Sequence, residues 1–532
     1  MIARTAPRPP RCLSSLTVCP GRSAPPLASP SADHGDVIEE LPTTAGPASE
    51  PAPAARPATS AGLAARLAPL RTGRRGIVVP LVLLTLIALG GGALRWHAAG
   101  ENRVHHLSAD EQGYIGLGNQ LRKHLHWARR GLDEPFRWAP GAPAMFAASA
   151  AITRDHNVGH SQQIGPARRS QVVVGVATIL VGWAFVALLV GPWAGLWAAA
   201  LIAFYPPGID QAGTFLSEPL GALLLLCGVT ALTWAWRRDG PSAPLARVLA
   251  RYAVAGAFIA LACLTRADVL IVGAALPLFV LLSGRVRGAW RPALLRAVVM
   301  GGATAVVVAP WVLYASATEH HLVTITDGNA TAAFVATYTP GGGTLYGAFH
   351  ALAPEACKVH PKTCGVPPVR VGSAPYFDAV VARYPKLDRD AALSQAIHDN
   401  IHDYVLGDPF GYIGMSAKKL WRLWGGYFLG GFGTGQSTTM LWLHRLLVLL
   451  GTVGLVAGLW RSRSRGLAAA LIALGLLTAI NVVYVAEARA NTRMMPLLLA
   501  AGVAGWFLAV RGRAGASEPE PASAEPGEPV AS

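Results

Sequence analysis

The chain has 532 residues, of which 52% are hydrophobic and 14% charged. A soluble globular domain carries about 25% charged residues, so this composition argues against a soluble enzyme. The formal charge of +16 suggests nucleic acid, but the basic residues cluster in short loops between apolar runs. That is the positive-inside pattern of membrane insertion, and no nucleic-acid recognition motif accompanies it.

In chain order, residues 1–70 are rich in Pro, Ala, Ser and Arg without sustained periodicity. They are predicted to be a disordered cytoplasmic tail, because such a stretch buries too little apolar surface to offset ordering entropy. The first apolar run lies too far into the chain to be a signal peptide. Charge-poor runs then recur at lengths suited to about 30 Å of hydrocarbon. They lack strand alternation and must satisfy their own backbone groups, so they read as helices. The predicted spans are 76–94, 171–190, 193–209, 219–236, 252–264, 269–282, 297–314, 441–460, 467–485 and 494–510. The resulting fold class is an all-α polytopic membrane protein of about ten transmembrane helices. Arg71, Arg74 and Arg75 precede the first span, and basic clusters recur at Arg237–Arg238, Arg285–Arg296, Arg461–Arg465 and Arg511–Arg513. Both termini are therefore placed in the cytoplasm, in a multi-pass protein of the plasma membrane. The span 252–264 is short for a crossing. Residues 514–532 form a Glu/Pro/Ala tail, also predicted to be disordered and cytoplasmic.

Polar content concentrates in two outer loops, about 96–169 and 316–439. A channel or coupled transporter places ionisable groups inside its spans. Here Asp110, Glu111, Glu218, Asp268 and Glu487 lie at span ends or in loops, which favours a site at the outer membrane face. After Ser108-Ala-Asp-Glu-Gln-Gly-Tyr114, the residues Tyr114, Leu117, Leu121 and Leu125 share one helical face. This predicts an amphipathic helix on the membrane surface that holds Asp110 or Glu111 at its start. Adjacent side chains on a helix diverge, so only one of the two acids faces a common site. The bland alternative is that both simply favour a helix N-terminus. A second stripe, Phe410, Ile413, Ala417, Leu420, Trp421 and Trp424, has Lys418, Lys419 and Arg422 on another face. It suits interfacial anchoring, with an anionic lipid headgroup as a further candidate ligand.

Of the cysteines, Cys12 and Cys19 fall in the N-terminal tail, and Cys227 and Cys263 fall in spans as packing residues. Cys357 and Cys364, with six residues between them, are the outer-loop pair and suit a disulfide in an oxidising compartment. His398 and His402 stand one helical turn apart, but Asp399 takes the place of the metalloprotease Glu, so a solvated helix face is the simpler reading. Asn329-Ala-Thr331 fits a glycosylation sequon that is common by chance. Gly116-Leu-Gly118 lies in a helix and is no dinucleotide fingerprint.

Taken together, these pieces resemble glycosyltransferase family 39 and related polytopic transferases of the GT-C fold, including protein O-mannosyltransferases and the aminoarabinose transferases of lipid A. The matching residues are Asp110, Glu111 and Tyr114; Trp138-Ala-Pro-Gly-Ala-Pro143; Arg169; Tyr205-Pro-Pro207; Ser217-Glu-Pro219; Leu264-Thr-Arg266; Pro310-Trp311; and Glu487 to Arg493 before Met495-Pro496. The resemblance spans about 76–513, so residues 71–513 are expected to form one GT-C-like domain, with no extra soluble domain. Ala139-Pro140-Gly141 departs from the Lys-Pro-Pro or His-Pro-Pro of many relatives.

The resemblance implies transfer of a sugar, hexosyl or pentosyl, from a polyprenyl-phosphate donor to a protein, lipid or cell-wall glycan acceptor outside the membrane. It implies Asp110 as general base, with Glu111 and Glu218 as further acids. Arg266, Arg489 and Arg493 are the expected donor phosphate ligands, because the leaving phosphate needs positive charge and arginine presents a planar fork of donors. No cofactor is called for with certainty, and a divalent metal is left open. The rival class is a transporter or flippase of lipid-linked sugars, for which internal repeats and mid-span charges are wanting. A purely structural membrane protein is the third reading.

Overall fold

The computed structural model describes residues 75–101, 107–124, 127, 136–159, 165–240, 242–286, 288–327, 330–367, 371, 373–428 and 437–515. The predicted tail 1–70, residues 516–532 of the predicted tail 514–532, the sequon Asn329, Leu125, Cys12 and Cys19 lie outside them.

The chain is an all-α polytopic membrane protein, with no strand among the described residues. In order the helices are α1 Arg75–Glu101, α2 Ala109–His124, α3 Gly141–Ile152, α4 Pro166–Leu189, α5 Pro192–Ala203 and α6 Pro206–Asp210. Next come α7 Glu218–Arg237, α8 Leu245–Thr265, α9 Leu270–Arg285 and α10 Trp290–Glu319. The long outer loop forms α11 Ala330–Thr337, α12 Leu345–Val359, α13 Ala374–Val381, α14 Arg389–Asn400 and α15 Pro409–Gly425. The chain closes with α16 Thr438–Ser462, α17 Arg465–Val483, α18 Ala488–Thr492 and α19 Met495–Gly515.

Among the described residues, eight helical segments are long and apolar enough to cross a membrane: α1, α4, α7, α8, α10, α16, α17 and Ala267–Arg285, which contains α9. The predicted spans 193–209 and 494–510 correspond to shorter apolar helices, Pro192–Ala203 and Met495–Arg511. The predicted short span 252–264 is in fact Leu245–Thr265, with Arg247 and Arg251 inside its first turns. Arg251 reaches back to the Arg238 carbonyl at 2.6 Å and lies over the Trp234 ring at 5.1 Å. Its charged head thus sits at the helix edge while its stem covers apolar surface.

Small residues set the closest helix contact. Gly451, Gly454 and Gly458 of α16 face Gly502 and Gly505 of α19, and a Cβ built on Gly454 would strike the Gly502 carbonyl. Such backbone approach is how helices associate where lipid removes the hydrophobic drive. Arg95 of α1 is buried and donates to the Ile202 and Ala203 carbonyls at 3.0 and 2.9 Å. It thereby supplies donors and positive charge at the C-terminus of α5.

One of the two amphipathic faces differs from its expected setting. Tyr114 and Leu117 of α2 are buried against protein, with Phe146 and Phe215 beside the first and Trp127 and Phe136 beside the second. The apolar face of α2 is therefore covered by the chain itself. On α15 the apolar stripe points outward: Phe410 is 84% exposed and Trp421 63%. The face turned inward carries Met415, Leu423 and the fully buried Lys419. Lys419 donates to the carbonyls of Ala336 and Tyr484, both at 2.9 Å.

The long loop between α10 and α16 has a hydrophobic core of its own, which was not foreseen from the sequence. Phe334, Tyr338, Phe349, Tyr376 and Phe377 pack together, with Phe349 and Tyr376 stacked at 4.7 Å between centroids. Cys357 and Cys364 are joined as a disulfide beside it, their Cα atoms 4.9 Å apart.

Candidate active site

The site is assembled at the end of the bundle that carries the two large loops. Its first part is the start of α2. Ser108 and Glu111 form a capping box: Glu111 N–H donates to Ser108 Oγ at 3.3 Å, and Ser108 N–H and Oγ–H both donate to Glu111 Oε2 at 2.9 Å. Glu111 Oε1 accepts the Phe215 N–H at 3.1 Å, which fixes α2 against the segment leading into α7. Glu111 is 2% exposed.

One residue earlier means about 100° around the helix, so Asp110 looks elsewhere. Its Oδ1 accepts from Trp138 Nε1 at 3.2 Å and its Oδ2 from Arg489 Nη1 at 2.7 Å. The Trp138 ring lies flat against Gly113, where a Cβ would come within 2.5 Å of it. The Trp138–Pro143 segment is seated in turn by Gly141, whose Cβ would meet Thr265 Oγ1 at 2.5 Å and the Leu264 carbonyl at 3.0 Å. The two glycines thus bring separate pieces of the sequence pattern into register.

From Asp110 an alternating ladder of charges runs across the helix ends. Arg489 also donates through Nε to Glu218 Oε1. Arg266 Nη1 donates to the same Glu218 oxygen at 2.8 Å and to Ser217 Oγ at 3.2 Å. Arg266 Nε stands 3.7 Å from Asp268, which Arg493 grips with both terminal nitrogens. Three guanidiniums therefore face three carboxylates. A buried charge without a partner is strongly unfavourable, so an alternating order is the arrangement that can exist here. Tyr114 closes the side of the ladder, its hydroxyl 3.0 Å from Ser217 Oγ.

The electrostatics follow from this order. Burial by itself would raise the Asp110 carboxyl, but the Arg489 guanidinium, with the Trp138 hydrogen bond, holds it below the usual carboxylate range. Asp110 is thus ionised at neutral pH. Burial pushes the Tyr114 phenol up to about 12, so it remains a neutral hydrogen-bonding group. A cavity of about 390 Å³ opens beside the ladder, lined by Tyr114, Trp138, Thr265, Arg266, Asp268 and Tyr484 among others. That volume suits a sugar-sized ligand.

The structure thus brings together Asp110, Glu218, Arg266, Arg489 and Arg493, and sets Glu111 apart as a structural cap. Trp138 and Ser217 join the ladder as partners to which the sequence assigned no such role, and Asp268, one of the acids at span ends, joins it between Arg266 and Arg493. Cys357 and Cys364 belong to the outer-loop core. His398 and His402 lie elsewhere on that loop, with Asp399 accepting from Tyr384 at 2.6 Å and His402 beside Asp403 at 3.1 Å. Among the described residues no group of three or more metal-ligating side chains converges.

No protein-family model matches this sequence, and no curated protein matches it. Solved structures of similar helical architecture do exist. One is an apo oligosaccharyltransferase from Archaeoglobus fulgidus, with a TM-score of 0.49 and 17% identity over 80% of this chain and 50% of that one. A second structure of the archaeal enzyme AglB, in complex with an inhibitory peptide and a dolichol-phosphate, gives 0.49 and 18% over 82% and 51%. ArnT from Cupriavidus metallidurans bound to undecaprenyl phosphate gives 0.36 and 17% over 81% and 78%. The chain spans about half the length of the archaeal enzyme.

Proposed function

We propose that this protein is a membrane glycosyltransferase that moves a sugar from a polyprenyl-phosphate carrier to an acceptor hydroxyl at the outer membrane face. The observation that carries this reading is the Asp110 carboxylate, ionised and held by Arg489 and by Trp138, the second of which lines the cavity. In the reaction the acceptor oxygen attacks the anomeric carbon and Asp110 takes its proton. The bond from the anomeric carbon to the phosphate oxygen breaks, and the electron pair leaves with the polyprenyl phosphate. General-base assistance of this kind contributes roughly 10² to 10⁴ in rate. Attack opposite the leaving group inverts the anomeric centre.

Glu218 is proposed as a positioning residue that orients Arg489 and Arg266, and Glu111 as a support that fixes the start of α2. Arg266, Arg489 and Arg493 already face carboxylates, so their duty is to hold the acids in place.

The test is a transfer assay. Membranes containing the protein receive a panel of labelled polyprenyl-phosphate sugars and acceptor extract from the native host. Label appearing in acceptor is the expected result. Label crossing liposome membranes while still attached to lipid, with none in acceptor, replaces this reading with that of a flippase.

A further inference from the structure

A second cavity, about 380 Å³, lies between the last turn of α15 and the outer part of α16, backed by Ala486, Glu487 and Ala488. Two arginines line it, and among the described residues neither is ion-paired with a carboxylate. Arg445 donates through Nε to the Gly425 carbonyl at 2.9 Å, its one hydrogen bond among the described residues. Its guanidinium lies over the rings of both Trp421 and Trp442, 5.0 Å from each centroid. Arg422 donates through Nη2 to the Gly342 carbonyl at 2.7 Å, while its Nη1 is buried with no partner. The ladder around Asp110 balances its charges. This cavity does not, holding two guanidiniums against the single carboxylate of Glu487, which pairs with neither.

Its surroundings say where the compensating anion comes from. Trp421 and Trp442 are 63% and 62% exposed, on an outward apolar stripe and on a membrane-length helix. Exposed tryptophans of this kind sit at headgroup depth. Arg445 is about two turns inside the outer end of α16, roughly 10 Å along the axis. Glu487 stands two residues before Arg489, so the cavity abuts the ladder that carries Asp110.

Resting on the reading of a lipid-phosphate donor, we propose that this cavity seats the phosphate of that donor, with Arg422 and Arg445 as its ligands and Glu487 as an acceptor for hydroxyls of the attached sugar. The phosphate accepts from the free nitrogens of both arginines, and its isoprenoid chain leaves past Trp421 and Trp442 into the bilayer. The arginines of the ladder then serve the acids, and those of this cavity serve the anion.

The test uses the full chain in nanodiscs of phosphatidylcholine, with a short-chain polyprenyl phosphate and inorganic phosphate as probes and binding read by native mass spectrometry. Wild type is expected to bind the lipid phosphate. Arg445→Gln and Leu441→Trp, the second of which fills the cavity and leaves its charge, are each expected to weaken it at least tenfold. If Arg445→Gln fails to fold, as judged by its melting curve, Leu441→Trp decides alone. Wild-type binding that persists unchanged in the folded variants overturns this site and leaves the transferase reading standing. No binding of lipid phosphate by wild type overturns the lipid-donor reading, and this site with it. Inorganic phosphate bound as tightly as the lipid overturns the assignment to a membrane-borne ligand.

Discussion

A carboxylate in the first turn of a helix can turn to the free backbone N–H groups beside it or to charge presented by other elements. Glu111 takes the first course and Asp110 the second, because 100° of helix rotation separates them. That divergence was legible in the sequence. Which acid faces the site was not, since the deciding partner, Arg489, is 379 residues away. The S-x-x-E spacing of Ser108 and Glu111 was the available signal, as a capping box claims its Glu. Exposure separates the acids of the ladder further. The Asp110 side chain is 36% exposed, whereas Asp268 is gripped by an Arg493 that is 1% exposed. Asp268→Asn is therefore expected to lower stability by about 3 to 5 kcal/mol, the cost of stranding a buried charge. Asp110→Asn is expected to leave the melting temperature nearly unchanged, because Arg489 keeps Glu218. Thermal melting of the two variants in one detergent checks the contrast.

At the scale of elements, apolar periodicity located the helices but not what covers them. The start of α8 was placed late because Arg247 and Arg251 interrupt the apolar run, although long basic side chains reach out from inside a helix. On α15 the stripe was legible, but the burial of Lys419 was not, because Lys419 takes a place expected of an apolar residue. Lys419→Met leaves the Ala336 and Tyr484 carbonyls unpaired and is expected to cost about 1 to 3 kcal/mol. Burial lowers the Lys419 ammonium to about 8. The unfolded chain keeps that proton to about pH 10.4 and so binds more protons between the two values. This group's contribution to stability therefore rises with pH across that window. The difference in melting temperature between wild type and Lys419→Met should widen from pH 8 to pH 10; a flat difference contradicts it. Where α16 meets α19, Gly454→Leu is expected to cost about 1 to 3 kcal/mol or more through overpacking, read from the same melting curves.

At the scale of the molecule, charge-poor runs and basic loops made the polytopic all-α class legible, because lipid leaves the backbone so few options. The core inside the long outer loop escaped notice, since its helices are short and its aromatic residues are spread over 334–377. The site was legible as a set of acids and arginines at span ends. Its pairing was not, because that depends on how helices distant in sequence meet.

The most direct measurement compares wild type with Asp110→Asn in the transfer assay, at equal amounts of folded protein. Transfer is expected with wild type and a loss of at least 100-fold with the variant, within the range a positioned base supplies. Undiminished transfer by Asp110→Asn would contradict the assignment and move the base to another acid.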